Sequence, residues 1–111
     1  MKKKILIISG SRAEFGLLES VINEFMKSYL LEPEVLITGM HTLKKYGETI
    51  KYIKKKDYNI SSVIRISPRG NMLLWLSEEI KGIMNYCLKK HIDCILVLGD
   101  RDEPFAGAIV G

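Results

Sequence analysis

Two short segments of this 111-residue chain carry an arginine and a glutamate directly after an aliphatic run. The segments are residues 10–14 (GSRAE) and 99–103 (GDRDE), and both fit the pattern G-[SD]-R-x-E. A guanidinium group binds phosphate through two parallel hydrogen bonds, and the N-terminus of a helix also attracts phosphate. Arg12 and Arg101 are therefore predicted to bind a phosphate-bearing ligand. The alternative is that both arginines form surface salt bridges.

The same two segments also have the spacing of helix caps. A Ser or Asp three positions before a Glu is typical of a capping box, which satisfies free backbone N–H groups and contributes about 1 kcal/mol. Ser11 with Glu14 has this spacing, and so has Asp100 with Glu103. Capping does not require an arginine, and a cation at a helix N-terminus opposes the macrodipole. Asp100 could cap its helix or act as an acid or base.

One histidine is a further candidate for the site, and two absent motifs exclude two common classes of nucleotide-binding site. His41 follows the second predicted strand at the same edge of the sheet and is a candidate for a site role, although a lone loop histidine is more often merely exposed. The chain lacks G-x-G-x-x-G, because Arg12 stands where the second glycine belongs. It also lacks the P-loop pattern, because position 15 is Phe. Dinucleotide-binding Rossmann sites and P-loop sites are therefore excluded.

Aliphatic runs alternate with amphipathic stretches along the chain. Short aliphatic runs bounded by charge or glycine are typical of strands buried on both faces of a parallel sheet. Such strands are predicted at residues 4–9, 34–38, 60–66 and 93–98. Helices are predicted from residue 17, over 43–55, over 73–88 after Asn71 as N-cap, and from residue 103.

This alternation predicts an α/β fold with a parallel sheet of about four strands and flanking helices, a three-layer Rossmann-like arrangement with right-handed crossovers. In a doubly wound sheet of order 3-2-1-4, strands 1 and 4 are neighbours and a crevice opens at their carboxyl ends. Gly10 and Gly99 mark those two ends. We therefore expect Arg12 and Arg101 to converge beside two helix N-termini.

The composition fits one small folded domain, with 47% hydrophobic and 27% charged residues. Lysine runs give a net charge of +4, but aromatic residues are not interleaved with them, so we expect no nucleic-acid partner. Cys87 and Cys94 lack zinc-site spacing and are predicted to be buried free thiols, which fits a cytoplasmic protein. No run approaches the ~20 apolar residues of a membrane span, so we expect no membrane partner.

Three motifs at compatible spacing resemble those of one enzyme family. Residues 9–18 (SGSRAEFGLL) resemble the T-G-[TS]-R-A-[ED]-[YF]-G-L-L opening of UDP-N-acetylglucosamine 2-epimerases. Residues 38–41 (TGMH) and 46–49 (YGET) match the second-strand signature, and residues 97–101 (VLGDR) match V-L-G-D-R. The non-hydrolysing branch typically has R-P-E at the first motif. Ala13 therefore favours a resemblance to the hydrolysing branch of sialic and related nonulosonic acid biosynthesis.

The resemblance implies a glycosyltransferase-B-like enzyme of two Rossmann-like domains with a UDP-sugar in the cleft between them. Such enzymes eliminate UDP and epimerise C2, which gives N-acetylmannosamine or a related sugar. By the same resemblance, Arg12 and Arg101 would contact the nucleotide phosphates. Asp100 would be the candidate catalytic acid or base, and Glu14 and His41 would shape the substrate pocket. The family implies no metal or redox cofactor.

The resemblance also predicts that residues 1–111 are a partial N-terminal Rossmann-like domain. The later catalytic glutamates and the C-terminal UDP-binding domain are absent, so we expect this part alone to be inactive. At full length the family implies a homo-oligomer. Two alternatives remain: a nucleotide-sugar glycosyltransferase half-domain, and a non-catalytic α/β domain that binds a phosphorylated ligand or a protein partner.

Overall fold

A four-stranded parallel sheet organises the molecule. The computed structural model describes residues 2–46, 49–56, 58–99 and 101–111. The strands are β1 (Lys3–Ser9), β2 (Leu31–Ile37), β3 (Ile60–Val63) and β4 (Cys94–Leu96), in the order β3-β2-β1-β4. All three strand pairs are parallel, and β1 lies between β2 and β4. The predicted α/β class and strand order are confirmed.

Helices cover both faces of the sheet. They are α1 (Arg12–Lys27), α2 (Ile50–Lys54), α3 (Met72–Lys89) and α4 (Asp102–Val110), with two 3₁₀ turns at Gly39–Thr42 and Lys44–Tyr46. Alternate residues of β1 point to opposite layers, as the pleat of a strand requires. Ile7 packs in one core with residues of α1 and α2, whereas Leu6 and Ile8 pack in a second core with residues of α3 and α4. The result is the predicted three-layer arrangement.

One predicted helix and two predicted strands differ from the structure. The single helix expected over residues 43–55 is instead the turn Lys44–Tyr46 followed by the one-turn helix α2. Only Ile50 and Ile53 are buried in α2, so apolar packing supports little more than one turn. The strands predicted at 60–66 and 93–98 are shorter, ending at Val63 and Leu96, because each pairs with a single neighbour among the described strands.

The cysteines are free thiols as predicted, but their predicted burial is wrong. Cys87 is half-buried and Cys94 is exposed, and both are free thiols. Cys94 begins β4, which has β1 on one side as its partner in the described sheet, so this position is not enclosed. Among the described residues, no helix is long and apolar enough to cross a membrane.

Candidate functional site

The two predicted arginines line one cavity. Gly10 follows β1 directly and Gly99 lies three residues beyond β4, with a φ of +94° that favours glycine. Because β1 and β4 are neighbouring parallel strands, the loops after them meet at one edge of the sheet. A cavity of about 420 Å³ opens at this edge. We call it the arginine cavity; it is lined by Arg12, Arg101, Ala13, Met40, Tyr46 and Thr49.

Arg12 is held over an aromatic ring. Its Cζ atom lies 4.5 Å from the centroid of the Tyr52 ring, within the range of a cation–π contact. The Tyr52 hydroxyl in turn donates a hydrogen bond of 3.3 Å to Glu19. Stacking leaves the edge of the guanidinium and its N–H groups available, so this exposed cation can still donate to a ligand in the cavity.

Arg101 is paired with two carboxylates in the first turn of α4. Its Nε donates to Glu103 Oε1 at 3.1 Å, and one terminal nitrogen donates to Glu103 Oε2 at 3.4 Å. The same nitrogen lies 3.6 Å from Asp102 Oδ1. The Arg101 side chain remains 40% exposed, so the guanidinium is held on one side and open on the other.

The helix after this loop does not start as predicted. Helix α4 begins at Asp102 with Arg101 as its N-cap, one residue later than a capping box from Asp100 to Glu103 requires. The Glu103 carboxylate accepts hydrogen bonds from the Arg101 guanidinium. Asp100, the predicted catalytic acid or base, lies outside the described residues.

The first capping box is confirmed. Ser11 is the N-cap of α1, and its hydroxyl accepts a hydrogen bond from the Glu14 N–H group at 3.4 Å. The Glu14 carboxylate accepts from the Gly10 N–H group. Burial raises the pKa of Glu14, and this N–H group opposes that shift. Glu14 thus fixes the loop that carries Arg12, but it does not itself line the arginine cavity.

His41 lies behind the cavity. It is 0% exposed, with Nε2 at 2.8 Å from the Ser9 hydroxyl and Nδ1 at 2.7 Å from the Thr49 hydroxyl. Both ring nitrogens are therefore occupied, and direct contact between His41 and a ligand does not fit this arrangement. Because Thr49 lines the cavity, the geometry instead supports a role for His41 in fixing the cavity wall.

The protonation state of His41 can be tested directly. Burial lowers its pKa to about 4, so we expect a neutral ring down to about pH 5. Side-chain ¹⁵N NMR across this range is expected to show the shifts of one fixed neutral tautomer. A titration midpoint near the ordinary value, about 6.5, would contradict the enclosed geometry.

Sequence reasoning missed several residues of this site. Tyr46 and Thr49, the first and last residues of the 46–49 motif, line the cavity but were not predicted as site residues. Tyr52, which contacts Arg12 and lies one helical turn beyond Thr49, was not predicted either. The buried carboxylate of Glu79 was also missed. Its signal was present, because Glu79 falls on the apolar stripe of α3 beside Leu76, Ile80 and Ile83.

Curated relatives match nearly all of this chain. A Legionella pneumophila protein named UDP-N,N'-diacetylbacillosamine 2-epimerase (hydrolyzing) is 30% identical, over 98% of this chain and 30% of the relative. The Neisseria meningitidis UDP-N-acetylglucosamine 2-epimerase is 34% identical, over 98% of this chain and 29% of the relative. The Escherichia coli polysialic acid biosynthesis protein P7 is 32% identical, over 96% and 28%. No protein-family model matches the chain.

Solved structures share the fold. The UDP-GlcNAc 2-epimerase of Neisseria meningitidis, bound to UDP-GlcNAc, has a TM-score of 0.78 at 22% identity over 96% of this chain and 28% of its own. The UDP-GlcNAc 2-epimerase of Methanocaldococcus jannaschii has a TM-score of 0.79 at the same identity and the same coverage of both chains. The chain spans about 30% of the length of the curated relatives it matches. In sequence, the chain is similar to part of proteins named UDP-N,N'-diacetylbacillosamine 2-epimerase (hydrolyzing) and UDP-N-acetylglucosamine 2-epimerase. In fold, it is similar to part of the UDP-GlcNAc 2-epimerases.

Proposed function

We propose that this chain is the phosphate-facing, N-terminal part of a hydrolysing UDP-N-acetylglucosamine 2-epimerase. The observation that carries the proposal is that Arg12 and Arg101 line one cavity at the carboxyl ends of two neighbouring parallel strands. Ligands of open α/β sheets bind at this edge. The names of the relatives in Legionella pneumophila and Neisseria meningitidis support the reaction class.

The proposed substrate is a UDP-linked N-acetylhexosamine. A base removes the proton from C2 of the sugar and UDP leaves by elimination. Water then adds to the resulting glycal and gives the 2-epimer, N-acetylmannosamine or a related sugar. The diphosphate gains negative charge as its bond to the sugar breaks. Two guanidinium groups already oriented beside it would stabilise that charge more in the transition state than in the bound substrate.

The roles of the individual residues follow from this proposal. Arg12 and Arg101 bind the diphosphate, and Asp100 is the acid or base beside the sugar. Glu14 fixes the loop that carries Arg12, since it bonds the Gly10 N–H group. His41 fixes Thr49 in the cavity wall through the 2.7 Å contact between Nδ1 and the Thr49 hydroxyl.

The proposal extends to the whole protein. Residues 1–111 would form part of the first of two Rossmann-like domains, and a second domain would bind most of the nucleotide. The arginine cavity is open to solvent at one side of the sheet, as expected for one wall of a cleft. We propose a cytoplasmic homo-oligomer that acts without a metal or redox cofactor.

Substitution of either arginine tests the proposal. Arg12→Ala and Arg101→Ala are each expected to weaken UDP binding by the full-length protein about tenfold, because each removes a charge-assisted bond to the diphosphate. Isothermal titration calorimetry measures this change. UMP, which lacks the second phosphate, is expected to be less sensitive to the same substitutions.

A matched control separates local contact from overall charge. Lys27→Ala removes one positive charge at the last residue of α1, the opposite end from Arg12. Its UDP affinity is expected to equal that of the unmodified protein. Unchanged affinity in both arginine variants would reject the diphosphate assignment.

A further inference from the structure

Three carboxyl groups meet beneath Arg101. Glu79 of α3 and Asp102 and Glu103 of α4 bring carboxylate oxygens within 4.8 Å of one another; we call these residues the carboxyl cluster. Glu79 and Glu103 are 0% exposed and Asp102 is 4% exposed. Three buried negative charges at this separation repel one another strongly, and Arg101 supplies one positive charge against them.

Hydrogen bonding within the cluster is incomplete without a proton. Among the described residues, no hydrogen-bond donor reaches either buried carboxylate oxygen of Glu79 or of Asp102. A carboxylate can only accept, whereas a carboxylic acid has one O–H donor. A protonated Glu79 could therefore donate a hydrogen bond to an oxygen of Asp102, which gives one oxygen of each residue a partner. The same proton would remove one buried negative charge.

We propose that the carboxyl cluster is a shared-proton unit that positions Arg101, in which Glu79 keeps one proton and donates it to Asp102 in a hydrogen bond. Glu103 is then left ionised and holds the Arg101 guanidinium through its two contacts of 3.1 and 3.4 Å. This pairing uses Nε and one terminal nitrogen. The remaining N–H groups of Arg101 are free to point into the arginine cavity. The role of Arg101 toward a diphosphate rests on the proposed function; its positioning by Glu103 does not.

The surroundings of the cluster favour this distribution of charge. Burial raises the pKa of Glu79 to about 10, with a further increase from Asp102. Burial alone would raise the pKa of Asp102, but the neighbouring carboxyl groups of Glu103 and Glu79 and the positive charge of Arg101 lower it below its usual range. Both Asp102 and Glu103 lie in the first turn of α4, where the helix dipole stabilises negative charge.

The proposal predicts pH dependence near neutrality. Burial raises the pKa of Glu103 to about 7, Asp102 raises it further, and Arg101 opposes the rise. Among the described residues, the charged groups that act on the cluster are Glu14 from α1 and Arg101 from the loop before α4, in addition to its own members. As the pH falls through about 7, Glu103 takes up a proton and Arg101 loses its ionised partner.

Side-chain NMR of the arginines tests the inference without any ligand. In the ¹⁵N-labelled chain, we expect the Arg101 Nε–H group to exchange with water about tenfold more slowly than that of exposed Arg69 at about pH 8. After correction for the intrinsic pH dependence of exchange, this protection is expected to disappear at about pH 6. Since this comparison needs no substitution, it does not depend on a variant that folds.

Two variants test which residues protect the Arg101 Nε–H group from exchange. Glu103→Gln is expected to lose the protection at both pH values. Glu79→Gln is expected to keep it, because an amide can donate to Asp102 as the protonated carboxyl group does. Protection in Glu103→Gln, loss of protection in Glu79→Gln, or pH-independent protection in the unmodified chain would each overturn the inference.

Divalent cations give a separate check. A shared-proton unit predicts no shift in melting temperature when Mg²⁺, Ca²⁺ or Mn²⁺ is added. A rise that Glu79→Gln removes would show a cation site and overturn the inference. Failure of UDP to bind with Arg101 protection intact would instead count against the proposed function alone.

Discussion

Gly10→Ala is expected to destabilise the chain by about 3 kcal/mol, an overpacking effect at the upper end of the usual range. A Cβ atom at residue 10 would fall on the Glu103 side chain, at its carboxylate and Cγ. Glu103 cannot turn aside at low cost, because it is 0% exposed and its carboxylate holds Arg101. The substitution therefore forces apart the ends of β1 and α4. Urea unfolding followed by circular dichroism measures the loss.

Another glycine in the same motif supplies the control. A Cβ atom at Gly16, inside α1, would meet no atom within 4 Å. Gly16→Ala is expected to stabilise the chain by up to about 1 kcal/mol, because alanine has the higher helix propensity. In the background Glu103→Ala, Gly10→Ala should cost much less, since its obstacle is gone. Equal costs in the two backgrounds would contradict the proposed clash.

Glu79 is expected to make the chain less stable at alkaline pH. Its folded pKa, about 10, lies above the ordinary value, so the folded state keeps a proton that the unfolded chain has already released. The stabilisation by this proton is present below the unfolded pKa and is lost progressively as the pH rises toward the folded pKa. We expect the free energy of unfolding to fall by about 3 kcal/mol between about pH 7 and about pH 9.

Comparison with Glu79→Gln isolates this effect. Burial also raises the pKa of Cys87, so this thiol adds to the loss of stability as the pH rises through the alkaline range. The Gln variant keeps Cys87 and lacks the titrating carboxyl group, so its stability should vary less with pH. Below about pH 6.5 the lowered pKa of His41 adds an opposing effect, which is why the alkaline range is the informative one. Parallel pH profiles for the two proteins would exclude a protonated Glu79.

The sequence predicted the sheet and the convergence of the two arginine loops for identifiable reasons. Aliphatic runs mark β1, β4 and the end of β2, and the order β3-β2-β1-β4 brings the two arginine loops together. The Ser11–Glu14 cap is local in sequence, so its spacing was sufficient to predict it. Both features depend on periodicity or on contacts within one turn.

The errors arose where contacts distant in sequence decide the conformation. Glu103 has the spacing of a capping residue, yet it packs against Gly10 and Gly39 from other strand ends and bonds Arg101. His41 is a loop residue that is enclosed by Ser9 and Thr49 rather than exposed. A buried glutamate such as Glu79 contradicts the usual distribution of charged residues, and only the packing of α3 against α4 places it inside.

The hydrogen bonds from Ser9 through His41 to Thr49 determine whether Thr49 can donate a hydrogen bond into the cavity. A neutral imidazole carries one N–H group, so one of its two hydroxyl partners must accept while the other donates. With the hydrogen on Nδ1, Thr49 accepts from the ring and its own O–H can donate into the arginine cavity. With the hydrogen on Nε2, the Thr49 hydroxyl donates its hydrogen to Nδ1 of the ring, so only its oxygen lone pairs face the cavity. An anion in the cavity would therefore select the Nδ1–H tautomer of a ring that it never touches.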